Sequence, residues 1–387
     1  METARAPDAV APPPGHPRFP GLDSLRAIAA LGVLISHASY ESGATSLAWY
    51  GSATAQGVTG VTVFFVLSGF LLYRPFLAAE LDGLRPVRLR DYARRRLLRI
   101  VPAYWLALTV IALWLNLDEV FSKDWWRYYF FLQIYDPRTS IHGLAAAWTL
   151  CVEMSFYALL PLFALGMARL AGGRSRTWRL NADLVVLAVL AAISIGLRAW
   201  SLFDIGGIIP ITLAGTFAWF AIGMALAGVS VRGRFSVNPA LSWALAGIAL
   251  IVMAEGLKGL TYSPRQWLFQ HLASAVLAAS LVAPAVLGEG GRIRALLNWR
   301  PLMLVGLVSY GIYLWQGAWV VKVHEHGFAK LALVTVIATV ATATASYLAV
   351  ERPLMRLKNR RPGPPRTAAG PASARAPEPG IAPGSPR

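Results

Sequence analysis

The sequence predicts an all-α, polytopic integral membrane protein with about ten transmembrane helices. Of its 387 residues, 56% are hydrophobic and only 14% are charged, whereas soluble domains carry about 25% charged residues. Ten apolar stretches are long enough, or nearly so, to cross a bilayer as helices of about 20 residues. The single cysteine, Cys151, excludes an internal disulfide and a cysteine metal cluster. These observations exclude a disordered chain and a typical soluble enzyme.

The predicted spans follow one another along the whole central part of the chain. The third is short for a span. Aromatic residues between the third and fourth, around Trp125 and Phe130, are typical of an interfacial belt or a re-entrant segment. The ten stretches are 22–42, 58–77, 100–117, 145–168, 182–200, 207–229, 239–256, 267–287, 301–321 and 328–350.

The net charge of +17 is concentrated in short basic runs between the apolar stretches. With the N-terminus inside, 26 Lys and Arg residues fall in inner segments and eight in outer segments. This asymmetry follows the positive-inside rule and predicts that both termini are cytoplasmic. No basic stripe interleaves with stacking aromatic residues on a polar surface, so the expected partner is the lipid bilayer and not nucleic acid.

Two terminal segments lack the apolar residues that a packed core needs. Residues 1–18 are polar and rich in proline, without the features of a signal peptide. Residues 358–387 contain eight prolines and four glycines. Both segments are expected to be disordered and cytoplasmic. Residues 19–357 remain as the membrane domain, with no soluble domain expected after it.

Ionisable side chains inside predicted spans are costly, so each is a candidate functional residue. His37 and Glu153 are expected at similar depth toward the outer leaflet, where a carboxylate could fix the tautomer of a general-base histidine. A lone histidine inside a helix bundle is, however, more often structural than catalytic. Arg26 lies near the inner end of the first span. Arg198, at the outer end of the fifth, is expected to extend to the interface.

Two arginines at the inner entrance of the third span form a second candidate group. Arg96 and Arg99 are three residues apart, so they share a face if the segment is helical. Two guanidinium groups on one face suit a phosphate-bearing ligand. The same residues would also serve as a positive-inside anchor, and the spacing alone leaves both interpretations open.

Five segments carry motifs that occur in a fixed order along the chain. In the first, ten residues separate Arg26 from His37. The others are FFVLSGFL at 64–71, RRLLRIVPAYW at 95–105, WTLCVEMSFY at 148–157 and SYGIYLWQ at 309–316. Together they resemble the motifs of the acyltransferase family 3 membrane acyltransferases, and the resemblance extends from about Phe19 to Arg356.

The resemblance implies an O-acyltransferase in the bacterial cytoplasmic membrane. It would transfer an acyl group, often acetyl, from acyl-CoA to a hydroxyl group, usually of a sugar. Acyl-CoA is then a co-substrate, and no resident cofactor or metal is expected. The catalytic residues carried over are His37 and Glu153, and the residues expected to bind donor or substrate are Arg26, Arg96, Arg99, Ser68 and Tyr313.

Two positions depart from the family pattern. Many members have two adjacent acidic residues where this chain has Glu153 and Met154, so only one carboxylate is available here. The late motif commonly ends in histidine where Gln316 stands. Some members also carry an extracytoplasmic hydrolase-like domain, which is not expected in this chain.

The spacing of Arg26 and His37 suggests how a cytosolic donor could serve an outer acceptor. On a helix the two residues are about 16 Å apart along the axis. The pantetheine arm of CoA has a comparable reach. A nucleotide bound by the inner arginines could therefore present its thioester to His37 through a tunnel between the first four helices.

Other functions remain open from the sequence. A proton-coupled transporter would also use His, Glu and Arg inside ten spans, although no internal repeat is visible. A non-catalytic membrane scaffold would leave His37 and Glu153 without a role. For an acyltransferase, the acceptor could be an envelope glycan, a glycolipid or a glycosylated secondary metabolite such as a macrolide.

Overall fold

The structure is a computed structural model that describes residues 19–357 except positions 85, 145, 206, 234, 289, 324 and 326. The described residues are largely helical and include no β-strand. The terminal segments predicted to be disordered lie outside them. The α-helices are α1 Gly21–Glu41, α2 Ala44–Leu47, α3 Gly51–Ala55, α4 Gly60–Leu81, α5 Leu89–Leu115, α6 Trp125–Tyr129, α7 Ala147–Leu170, α8 Arg176–Trp200, α9 Leu213–Arg232, α10 Pro239–Gly256, α11 Pro264–Leu287, α12 Gly291–Leu297, α13 Arg300–Leu307, α14 Ser309–Lys322, α15 Phe328–Ser346 and α16 Arg352–Leu357.

The predicted all-α fold with about ten spans is confirmed. Within the described ranges, nine helical segments are long and apolar enough to cross a membrane, and α13 with α14 forms a tenth that is bent by 70°. The chain is therefore a multi-pass membrane protein. An even number of crossings returns the end of the last span to the side on which the first begins. Which side is cytoplasmic stays a prediction of the charge pattern.

Apolar side chains on the outside of the bundle fit a lipid environment. On α8, Val185, Val189 and Ile193 are 62%, 53% and 52% exposed. Their spacing of four residues places them on one helix face. A soluble protein rarely exposes an apolar stripe of this kind, so this face of α8 is suited to lipid contact.

Two spans differ from their predicted form. The third is 27 residues long and begins at Leu89 rather than at residue 100, because its arginine-rich first turns are helical although they are not apolar. The ninth was expected to be one straight helix over 301–321, but it bends at Val308 between α13 and α14. There Gly306 lies against the backbone carbonyl of Asp23 in α1, where a Cβ atom would overlap that oxygen.

α1 is the central helix of the site and is buried along most of its length. It packs against α4, α13, α14 and α15. Leu25, Ala30, Leu34 and Ala38 are fully buried. The side chains of α1 therefore contact other helices on several sides.

The packing of α4 on α9 depends on two glycines. A Cβ atom at Gly69 would overlap the carbonyl oxygen of Phe220, and one at Gly223 would overlap that of Val66. Small residues at such crossings let two backbones approach closely, which is how helices associate where the surrounding medium is as apolar as their side chains.

A buried ion cluster connects α4 with α8. Arg179 is 2% exposed and donates two hydrogen bonds to Glu80, of 2.8 and 3.0 Å. It also pairs with Asp183 at 2.5 Å, which accepts a 2.6 Å hydrogen bond from the Tyr73 hydroxyl. Because each charge has a partner, the cluster is a structural contact between the two helices.

The connection between α5 and α7 is a set of short helical turns with exposed aromatic side chains. Trp125 and Phe130 are 50% and 55% exposed, as expected for an interfacial belt. The segment is attached to α5 by the Tyr104 hydroxyl, which donates to the Tyr128 carbonyl at 2.8 Å.

In the same connection, hydrogen bonds from Arg138 hold the pKa of Asp136 well below its ordinary value.

The prediction that Arg198 extends to the interface is wrong. The side chain is 8% exposed, and its Nη1 donates to the Pro210 carbonyl at 2.6 Å. The guanidinium also lies 5.8 Å from the centre of the Trp219 ring. The carbonyl acceptor comes from the turn Ile209–Ile211, which provides a partner inside the protein.

The predicted orientation can be tested by labelling single cysteines in intact cells. After replacement of the buried Cys151, Ser46→Cys and Arg88→Cys each place a thiol at an exposed position. We expect a membrane-impermeant maleimide to label position 46 in intact cells and position 88 only after the membrane is opened. The reverse pattern would show that both termini face outward.

Candidate active site

A cavity lies among α1, α4, α5, α7 and α14. It brings together five of the seven residues that the sequence singled out as site residues. The cavity wall includes Arg26, Ser68, Arg99, Glu153 and Tyr313. Residues far apart in the sequence thus meet in one polar space inside the bundle.

Glu153 is the carboxylate of this cavity, and two hydroxyl groups bind it. Ser68 donates to Oε1 at 3.0 Å, and Tyr157 donates to Oε2 at 2.8 Å. A carboxylate removed from water needs such donors. Tyr157 is not among the site residues predicted from the sequence, although its spacing of four residues from Glu153 places both on one face of α7.

The arginines make the cavity favourable for an anion. Arg99 lines it, and its Nη1 is buried with no hydrogen-bond partner among the described residues. Arg26 also lines it and has a long ion pair of 3.5 Å with Asp23. A buried guanidinium nitrogen without a partner is costly. An anionic group bound here would remove that cost.

Arg96 lies beside the cavity rather than in its wall. Its guanidinium is 6.0 Å from the centre of the Tyr157 ring, and its Nε is buried without a hydrogen-bond partner in the part of the chain that the structure describes. Tyr157 also lines the cavity with Arg99. Both arginines therefore lie toward Tyr157, as residues on a shared helix face should.

His37 has a different partner from the one expected. Its Nδ1 lies 2.8 Å from Oε1 of Gln316 on α14. The predicted pairing with Glu153 is wrong: the carboxylate is bound by Ser68 and Tyr157, and His37 is not among the residues that line its cavity. Glu153 lies in the cavity wall beside Arg26. Arg26 and His37 are about 16 Å apart along the axis of α1, so Glu153 lies near the opposite end of this stretch from His37.

α14 connects the cavity wall with the histidine. Tyr313 lines the cavity, and its hydroxyl is hydrogen-bonded to that of Thr149 at 2.9 Å. Gln316 follows Tyr313 by one helical turn. His37 itself is not among the residues that line the cavity. The expected continuous tunnel from the inner arginines to His37 stays a prediction.

Further buried polar groups near the site were missed in the sequence. The Tyr310 hydroxyl donates to the Ile100 carbonyl at 2.9 Å, directly after Arg99 in α5. Glu351 is 3% exposed, and its Oε1 has no hydrogen-bond partner among the described residues. Tyr310 could have been predicted as a site residue from the sequence, because it lies in the SYGIYLWQ motif.

Within the described ranges, no three His, Cys, Asp or Glu side chains cluster so that they could hold a metal ion.

One family model matches almost all of the chain that the structure describes. The model of acyltransferase family 3, described as an acyltransferase domain, matches residues 19–351. The chain belongs to this family. The match covers every helix that contributes to the cavity, and the resemblance seen in the five motifs is confirmed.

Several bacterial proteins are similar to the chain over most of its length. It is 29% identical over 371 residues to YrhL of Bacillus subtilis, which has a provisional name as a peptidoglycan O-acetyltransferase; the alignment covers 88% of this chain and 55% of YrhL. It is 24% identical over 370 residues to the O-acetyltransferase OatA of Staphylococcus aureus, covering 88% and 58%. It is 25% identical over 326 residues to the peptidoglycan O-acetyltransferase OatA of Listeria monocytogenes, covering 77% and 48%.

The chain thus spans about half the length of these curated relatives. No solved structure matches it. The multiple spans and the bacterial membrane relatives agree with the predicted location, a multi-pass protein of the bacterial cell membrane.

Proposed function

We propose that the protein transfers an acetyl or other short acyl group from acyl-CoA to a hydroxyl group of a sugar-containing envelope glycan. The observation that carries this proposal is the cavity in which Arg26, Arg99 and Glu153 meet, because its helices contain the family's motifs. The names of the relatives support an acetyl group and a glycan such as peptidoglycan. A glycosylated secondary metabolite is the alternative acceptor.

The charges of the cavity support acyl-CoA as the donor. Nη1 of Arg99 is buried, has no hydrogen-bond partner among the described residues and is free to donate to an anion. Guanidinium groups bind phosphate through paired hydrogen bonds. Arg96 adds a second positive charge beside Tyr157. A CoA phosphate group bound at these arginines would leave the pantetheine arm free to extend along α1 toward His37.

His37 is proposed to act as the general base in a balanced transfer. Its Nε2 takes the proton from the acceptor hydroxyl while that oxygen attacks the thioester carbonyl carbon. The new C–O bond forms, the C–S bond breaks, and the leaving thiolate receives the proton from the imidazolium. The products are the O-acyl sugar and free CoA thiol.

Glu153 is proposed to act through charge. Its carboxylate lies in the cavity wall with Arg26 and Arg99, where it offsets part of their positive charge. Ser68 and Tyr157 fix its orientation. This differs from a direct contact with the base, since the partner of His37 is Gln316.

Family membership favours this function over a proton-coupled transporter. The two differ in a simple assay, because an acyltransferase in detergent transfers from acyl-CoA without any ion gradient. A transporter would show no acyl transfer under those conditions.

The first functional test is His37→Ala. Loss of a general base lowers the rate by about 10²–10⁴-fold, so we expect acyl transfer to a sugar acceptor to fall by that factor. His142→Ala, at an exposed position outside the spans, is the matched control and should keep wild-type activity. A folded His37→Ala protein with full activity would contradict the role of His37.

The second test concerns the donor. Removing a hydrogen bond to a charged group costs about 1.5–3 kcal/mol, so Arg99→Ala should weaken acyl-CoA binding by about 10- to 100-fold. Arg96→Lys should also weaken it, because an ammonium group lacks the planar fork. Calorimetry on protein in nanodiscs measures both affinities. The exposed Arg90→Ala removes one charge from the same helix and should have little effect.

If neither Arg96→Ala nor Arg99→Ala changes the affinity, the pair serves only as a topology anchor.

The third test is the sidedness of the reaction in sealed, oriented vesicles. Acyl-CoA supplied only on the cytoplasmic face should support acylation of an acceptor confined to the outer face. Acyl-CoA supplied only outside should not. Equal activity with external donor in tight vesicles would show that delivery through the membrane is wrong, even if His37 remains the base.

A further inference from the structure

We infer that Gln316 is a positioning residue, which holds the His37 imidazole as the neutral tautomer with its proton on Nδ1. The inference rests on the proposed function only for the statement that His37 is the base. The tautomer itself can be measured without any substrate. Gln316 stands where the family motif commonly has histidine, so this role belongs to the present chain.

The hydrogen bond between the two side chains has one direction. Oε1 of Gln316 is an amide carbonyl oxygen and can only accept. Since it lies 2.8 Å from Nδ1 of His37, that nitrogen must carry the proton. A neutral imidazole has one N–H, so Nε2 keeps its lone pair. A free lone pair on Nε2 is what a general base requires.

Burial keeps this arrangement in place. The Gln316 side chain is 1% exposed, so bulk water does not compete for its oxygen. Gln316 is the hydrogen-bond partner of His37 within the described ranges. An unbonded amide would be costly in this apolar interior, and therefore the bond orients both side chains.

The rest of α14 fixes the position of Gln316. Tyr310 bonds the Ile100 carbonyl in α5 at 2.9 Å, and Tyr313 bonds Thr149 in α7 at 2.9 Å. Gln316 follows on the same helix, one turn after Tyr313. The helix that forms part of the cavity wall thus also sets the orientation of His37.

A neutral partner differs from a carboxylate in its chemical effect. A carboxylate beside imidazole stabilises the protonated, positively charged ring. The Gln316 amide selects the tautomer without adding a negative charge. The carboxylate of the cavity, Glu153, is already bound by Ser68 and Tyr157.

The tautomer can be read by nuclear magnetic resonance of the full chain in nanodiscs with ¹⁵N-labelled histidine. The chain has six histidines, and the spectrum of His37→Ala assigns the His37 signals by difference. We expect a protonated Nδ1 and a bare Nε2 in the wild type. A proton on Nε2 instead would overturn the inference, and this measurement needs no Gln316 variant to fold.

Two variants and a control test the cause. Gln316→Leu should lose the preference for Nδ1–H and lower kcat by about 10–100-fold, the range typical of the hydrogen-bond partners that orient metal-binding histidines, with KM for acyl-CoA unchanged. Gln316→Glu retains an acceptor oxygen and should keep Nδ1 protonated. Gln133→Leu removes another buried glutamine, 2% exposed, whose Oε1 has no partner among the described residues; it should leave the His37 signals unchanged.

An unchanged tautomer preference in Gln316→Leu would overturn the inference. Loss of Nδ1 protonation in Gln316→Glu would do the same. Failure of the proposed function looks different: His37→Ala would then keep full activity, while the wild-type spectrum would still report Nδ1–H.

Discussion

A charge placed in the apolar layer of a membrane must find its partner inside the protein, and the site depends on this constraint. Glu153 is bound by two hydroxyl groups, and the buried Arg179 by the carboxylates of Glu80 and Asp183. In contrast, Nη1 of Arg99 in the cavity wall and Nε of Arg96 beside it are buried without hydrogen-bond partners among the described residues. Two unsatisfied guanidinium groups at one place indicate where a ligand's negative charge would be bound.

The bend at Val308 lets one stretch of chain serve both the packing and the chemistry. Before the bend, α13 lies with Gly306 directly on the α1 backbone. After it, α14 turns by 70° and brings Tyr313 to the cavity and Gln316 to His37. Both halves of the broken span pack against α1, and α14 also packs against α5.

The sequence predicted the site residues better than it predicted their pairing. Five of the seven meet in one cavity. Arg26 and Glu153 were predicted because ionisable groups inside apolar stretches are few, Arg99 because of its spacing from Arg96, and Ser68 and Tyr313 from the family resemblance. The pairing of His37 with Glu153 failed because the two residues are not at the same depth. Glu153 lies in the cavity wall with Arg26, about 16 Å from His37 along α1, and the predicted ends of two separate spans do not fix their relative depth. Gln316, which departs from the family pattern, proved to be the partner of His37.

Hydropathy, charge and motif order by themselves determined that this is an all-α membrane protein of about ten spans and a member of an acyltransferase family. These features are local, since a span is defined by its own residues and a motif by its own spacing. The tertiary structure alone decided that Tyr157 and Ser68 bind Glu153, that Arg198 is buried, and that Gln316 of α14 contacts His37. Such contacts depend on how helices rotate and cross, and inside a membrane that is set by side-chain packing rather than by hydrophobicity.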